Sequence, residues 1–135
     1  MIKPAYLAAL LSMLLAGCAS PFSDMLNNKF MNVVQTPQPN LAGLWTGTMG
    51  PYLVTMQINP NGSGVSCYEY NGTGGIQRLK VSSDTVFMQD GTKVTVAQKG
   101  GQLEVSVPYL GGGSYKFVPD NELAQASLFC ADKLK

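Results

Sequence analysis

The sequence predicts an all-β domain: about eight antiparallel strands in a meander, closing into a small barrel or a two-sheet sandwich. Three observations predict it. From Leu44 to Val118 apolar and polar residues alternate in short runs, the period of a half-buried strand. Turn signals rich in Gly, Asn and Asp separate the runs at roughly 8 to 12 residue intervals. The strand–helix alternation that builds a parallel sheet is missing from the pattern.

Trp45 to Met49 opens the series, and Tyr52, Val54, Met56 and Ile58 alternate with Leu53, Thr55 and Gln57 in the second run. Asn59-Pro60-Asn61-Gly62 reads as a turn into Val65 to Tyr70, and Asn71-Gly72-Thr73-Gly74-Gly75 reads as the next. Ile76 to Val81 and Thr85 to Gln89 follow. Asp90-Gly91 is a tight-hairpin signal before Val94 to Val96. Leu103, Val105, Val107 and Tyr109 alternate with Gln102, Glu104 and Ser106, and Gly111-Gly112-Gly113 leads into Ser114 to Val118. Asp120 can cap a turn through Asn121-Glu122-Leu123-Ala124, and the stretch to Cys130 reads equally as helix or extended chain.

Before the strands lie two other textures. Lys3, the apolar run Ala5 to Leu15 and the small residues Ala16 and Gly17 form a secretory signal over residues 1–17. The run is shorter than the roughly 20 residues a membrane-spanning helix needs. Leu15-Ala16-Gly17-Cys18 matches the bacterial lipobox at every position, so the chain resembles a bacterial lipoprotein precursor. That resemblance implies cleavage before Cys18, a diacylglyceryl thioether on its sulfur and a third acyl chain on the freed amine. Two acyl chains already give stable anchoring, at about 0.8 kcal/mol per buried methylene. Ala19 and Ser20 follow the cysteine where an aspartate would signal inner-membrane retention. The resemblance therefore implies an outer-membrane location, with the leaflet open.

Residues 18–42 read as a lipidated tether, and 43–135 as the β domain. Ser20-Pro21 begins a segment in which Phe22, Met25, Leu26, Phe30 and Val33 fall near helical spacing. A short amphipathic helix and a disordered spacer both fit it, because Asn27, Asn28 and Asn32 weaken a helix of that length. Thr36-Pro37-Gln38-Pro39-Asn40 ends any helix and predicts an extended, semi-rigid linker.

With Cys18 lipidated, Cys67 and Cys130 remain as a pair in an exported protein, where a disulfide is the default. No Cys-X-X-Cys motif points to redox chemistry. The chain has no histidine, which removes the commonest general base and most zinc sites. No metal set and no cofactor are therefore expected. Lys and Arg number 9 against 8 Asp and Glu, and loss of Lys3 with the leader leaves the rest formally neutral. A nucleic-acid partner would call for a basic excess. The glycine clusters lack the Gly-Lys-Ser/Thr and following helix of a phosphate loop. Asp84, Asp90, Glu104, Asp120 and Glu122 are carboxylates without an arrangement that suggests catalysis, three of them at turn positions.

Gly43-Leu44-Trp45-Thr46-Gly47 resembles the Gly-X-Trp opening of lipocalin-like barrels, in which the tryptophan closes one end and the interior often holds an apolar ligand. The late arginine that stacks on that tryptophan has no counterpart, since Arg78 is the one arginine. Trp45 reads either as a pocket wall or as a core residue. Tyr68 and Tyr70 share a strand face, as an aromatic contact strip or as core packing with hydroxyls at the rim. These three are the candidate ligand-binding residues.

The function read from all this is a non-enzymatic, membrane-anchored cell-envelope lipoprotein that binds a protein or envelope component. The alternatives are a lipocalin-like carrier of a small apolar ligand and an inhibitor of a host hydrolase such as lysozyme. For the last, Ser63-Gly64-Val65-Ser66-Cys67 departs at its final residue from the Ser-Gly-X-X-Tyr motif of lysozyme inhibitors.

Overall fold

A computed structural model of the chain describes residues 29–109 and 111–135. Eight antiparallel strands, each bonded to its sequence neighbours, form a closed barrel. They are β1 (Gly43–Met49), β2 (Tyr52–Ile58), β3 (Ser63–Tyr70), β4 (Thr73–Ser82), β5 (Thr85–Met88), β6 (Lys93–Lys99), β7 (Gln102–Ser106) and β8 (Ser114–Pro119). The barrel closes where Trp45 pairs with Pro119 and Thr46 with Val118. Of the two shapes the pattern allowed, the barrel is the one formed. Residues 1–17, read as a leader, and the tether from Cys18 to Asn28 lie outside the described residues.

The alternation read from the sequence becomes inside and outside. Val54, Met56 and Ile58 point inward from β2, Leu79 and Val81 from β4, and Leu103 and Val105 from β7, all buried. Phe117 of β8 is the largest fully buried side chain. A barrel of eight strands is just wide enough for side chains to fill, and these fill it.

Two strand boundaries differ from expectation. Gly74 and Gly75 belong to β4 rather than to a five-residue turn; the hairpin is Asn71-Gly72 alone, both with positive φ (51° and 78°). Both faces of β4 need bare backbone there. A Cβ on Gly75 would strike the Tyr68 ring from inside, and one on Gly74 would strike the Phe129 ring from outside. β7 ends at Ser106 although the alternation runs on to Tyr109. Pro108 has no N–H to give a ladder, so the chain leaves the sheet. The loop is held instead by Val107 N–H on the Gly113 carbonyl (2.9 Å) and Gly112 N–H on that of Tyr109 (2.7 Å).

The C-terminal segment covers the outer wall of β1 to β4. Cys67 points outward yet is fully buried, because it is bonded to Cys130. Leu44, Val65, Leu123, Ala126, Phe129 and Leu134 pack around that bond as a second, smaller core. The helix here is α1 (Leu128–Lys133), with Ser127 as its N-cap accepting from Cys130 N–H at 3.0 Å. Residues 121–127 form an irregular loop, not a helical turn, gathered around the buried Asp120 carboxylate. Oδ1 accepts the amides of Ala124 and Gln125 (2.8 and 3.1 Å), and Oδ2 accepts that of Ala126 (3.0 Å) and the Thr46 hydroxyl (2.8 Å). A carboxylate only accepts, so the Thr46 proton is committed to it. Thr55 must then donate to Thr46 across the 2.7 Å between their hydroxyls.

The N-terminal segment is a strap on the other side. Its described part begins with a 3-10 turn, Phe30–Asn32; the earlier part of the segment read as helix or spacer lies outside the described residues. Phe30 is buried, with the Lys80 ammonium 4.6 Å from its ring centroid. Lys80 Nζ also donates to the carbonyls of Phe30 (2.8 Å) and Val33 (3.1 Å). The proline-spaced segment is extended, as its composition predicts, and crosses one end of the barrel. Thr36 N–H binds the Val81 carbonyl (2.9 Å), Gln38 N–H that of Pro60 (2.7 Å), and Gln38 Nε2 that of Ser83 (2.9 Å). Leu41 then accepts the Trp45 indole N–H at 2.9 Å. This end is closed.

Lys80→Met keeps the bulk and removes the donor. Loss of charge-assisted bonds of about 1.5 kcal/mol or more should raise hydrogen exchange at Thr36 and Gln38 about tenfold. Exchange in β2 and β7 should stay unchanged. Equal acceleration in the barrel, or none in the strap, contradicts the clamp.

Candidate functional site

The opposite end is open. The β1–β2 turn, the Asn71-Gly72 hairpin, the β5–β6 connection and the β7–β8 loop ring it. Within it is a cup of about 310 Å³ lined by Met49, Tyr52, Val54, Ser66, Tyr68, Gln77, Met88, Asp90 and Thr92. That is near the lower limit of small-ligand sites, roughly 300–1,000 Å³. Below it the apolar side chains of the interior leave the barrel filled.

The cup has two sides of different character. On one, Tyr52 meets Tyr68 edge-to-face at 5.8 Å between centroids, and Tyr70 leans on Tyr52 at 5.6 Å. Offset and edge contacts of this kind each stabilise by about 0.5–1.5 kcal/mol beyond burial. Tyr68 is half-buried and fixed over Gly75, while Tyr52 and Tyr70 are exposed at the rim. On the other side, Asp90 N–H donates to Gln77 Oε1 (2.9 Å), and Gln77 Nε2 returns to Asp90 Oδ2 (3.2 Å). Asp90 Oδ1 accepts Thr92 N–H at 2.9 Å, which shapes the hairpin. Met49, Val54 and Met88 supply the apolar surface between. Two methionines give it a surface that adapts to irregular partners.

Of the three candidates read from the sequence, Tyr68 lines the cup. Tyr70 stands at its rim, supporting Tyr52. Trp45 lies away from it at the closed end, 5 % exposed and bonded to Leu41. Met49, Gln77, Met88 and Thr92 were not singled out in the sequence, and Asp90 was weighed there as a turn carboxylate. The Asp90-Gly91 turn signal pointed to a hairpin there but not to what the hairpin would face. The remaining carboxylates are dispersed. Asp120 is spent on amides, Glu104 pairs with Lys99 on the outer wall (3.3 Å), and Asp84 accepts from Thr85 (3.3 Å). The Cys67–Cys130 bond expected from the sequence is formed. Among the described residues no helix is long and apolar enough to cross a membrane.

A family model described as "Bacterial lipocalin LPS transport optimiser YedD" matches residues 27–134. The lipoprotein YedD from Klebsiella pneumoniae subsp. pneumoniae is similar in structure, with a TM-score of 0.52 at 17% identity, over 73% of this chain and 93% of that one. A lipocalin lipoprotein affecting virulence in Streptococcus pneumoniae superposes with a TM-score of 0.51 at 13% identity, over 64% of this chain and 99% of that one. At such identities the two structures speak to the fold, which is the lipocalin-like barrel that Gly43-Leu44-Trp45 suggested. Among curated proteins none matches. The family match takes in the strap, all eight strands and the C-terminal cover, and on that ground the chain belongs to the YedD family of bacterial lipocalin lipoproteins.

Proposed function

We propose that this protein is a non-enzymatic binding lipoprotein, anchored through Cys18 at the outer membrane, that assists lipopolysaccharide transport by gripping a partner with its barrel mouth. One observation carries the reading: the interior is filled up to the mouth, leaving a cup of about 310 Å³. That volume takes one apolar group, such as a bulky side chain or the end of a single acyl chain. A whole multi-chain lipid does not fit. The Tyr52–Tyr70 rim then contacts whatever lies beyond that group, and aromatic residues at a wet edge suit this because they combine apolar area with a polar tip. The family's description as a lipopolysaccharide transport optimiser supports the transport setting. Ala19 and Ser20 after Cys18 support the membrane assigned.

The carrier reading keeps one observation in its favour, the apolar lining from Met49, Val54 and Met88. Mass spectrometry of protein extracted gently from membranes separates the two. Stoichiometric bound lipid favours the carrier.

The direct test uses the exposed rim, whose loss leaves the core untouched. In cells lacking this protein, the Tyr52→Ser/Tyr70→Ser double variant should accumulate, anchor and fold like wild type yet fail to restore lipopolysaccharide delivery, read as sensitivity to large antibiotics. Truncating interface aromatics commonly costs 2 kcal/mol or more, about thirtyfold in affinity. Full complementation by that variant would remove the mouth from the function.

A further inference from the structure

We infer that the closed end of the barrel, not its mouth, rests on the bilayer, with Met31 and Val34 as the apolar contacts. This rests on the Cys18 anchor of the reading above, goes beyond it, and does not depend on what the mouth binds. The occupant is the phospholipid surface into which the chain's own Cys18 lipid inserts.

The chain leading back to the lipid leaves the domain at Phe30. Phe30 is held by Lys80, which pairs with Ser63, the first residue of β3, and with Phe87 of β5. Those pairings set Lys80 near the closed end, and from Val33 onward the strap crosses that same end. Cys18 is about a dozen residues before this point, a reach of at most about 40 Å when fully extended. The tether alone therefore allows more than one attitude of the barrel, and the surface chemistry must choose.

Next to the buried Phe30 and the half-buried Val33, Met31 and Val34 are 78% and 79% exposed. A lone exposed apolar side chain is ordinary. Two of them, fixed to a rigid body within a short tether of inserted acyl chains, form a contact that enters the headgroup region at little further entropic cost. Lys29 precedes them, and Arg78 stands exposed on the β4 wall with its guanidinium 5.6 Å from the Phe30 ring centroid. From Lys29 to Tyr68 the sequence holds no Asp or Glu. Asp84 on the β4–β5 turn is an acid at this end, so the apolar pair and the tether decide more than charge does. The mouth, with Tyr52 and Tyr70 at its edge, then faces away from the membrane.

The test uses the full lipidated protein in phosphatidylethanolamine–phosphatidylglycerol vesicles. Cys67 and Cys130 are bonded to each other, so one introduced thiol can be labelled. A fluorophore is placed in turn at Met31→Cys, Asn40→Cys and Tyr70→Cys, and lipid carrying a headgroup-region quencher is added. Quenching at positions 31 and 40 should exceed that at 70 by about threefold, since an interfacial contact penetrates only 5–10 Å. Adding Met31→Asp and Val34→Asp to the Asn40→Cys protein should reduce its quenching to the level at position 70 while the protein still floats with vesicles. Quenching at 70 equal to or above that at 31 overturns the inference. So does a label at 31 that is not quenched, a charged variant that keeps its quenching, or wild-type protein that does not float.

Discussion

Cys67→Ala is expected to lower the unfolding free energy by about 4 kcal/mol, the entropy of opening a loop of this size. The bond closes 63 residues of sequence, so the unfolded chain gains much freedom when it is lost. The native side loses as well. Both cysteines are buried, and the apolar residues around them, among them Phe129 and Leu134, pack on the barrel wall about that bond. Urea denaturation of wild type, with and without reductant, and of Cys67→Ala measures it. The reduced wild type should fall near the variant. If wild type and variant unfold at the same urea concentration, the C-terminal segment is held by something else.

Asp120→Ala should cost about 3 kcal/mol, because hydrogen bonds to a charged group contribute about 1.5–3 kcal/mol each and the Thr46 hydroxyl left behind is buried. Four donors lose their acceptor: the amides of Ala124, Gln125 and Ala126, and the Thr46 hydroxyl. Asp120→Asn keeps the shape but turns an NH2 group toward donors, so it should recover less than half of the loss. Hydrogen exchange should locate the damage first at residues 124–126 and only then in β1. A variant with wild-type stability and protected amides at 124–126 would show that the carboxylate does not organise this loop.

The strands were legible because a closed barrel imposes one rule on each of them. Leu103 and Val105 go in and Glu104 goes out, and two-residue periodicity records it. Trp45 was legible through its short motif, and it closes one end as that motif implied. The strap and the C-terminal cover were not, because each is fastened by single groups. Lys80 bonds two backbone carbonyls and Asp120 three amides, and neither leaves a period in the sequence. The C-terminal cover also buries the outward face of β1 and β2, so Thr46 and Thr55 are as covered as core residues although their polarity suggested exposure. The cup escaped for another reason. Its lining comes from the ends of five strands and a hairpin, and only barrel closure decides that Met49, Gln77 and Met88 meet.

Four ties join the opening strands to the tail: Leu44 N–H to Asn121 (3.0 Å), Asp120 N–H to the Leu44 carbonyl (2.7 Å), Thr46 to Asp120, and Cys67 to Cys130. Contacts so distant along the chain make folding slow. As the chain is made, the leading half appears first, and its outer wall stays uncovered until the last residues follow. A chain that stops just short of Cys130 would thus have every strand present and one sulfur unmatched, with the outer wall of its opening strands left bare.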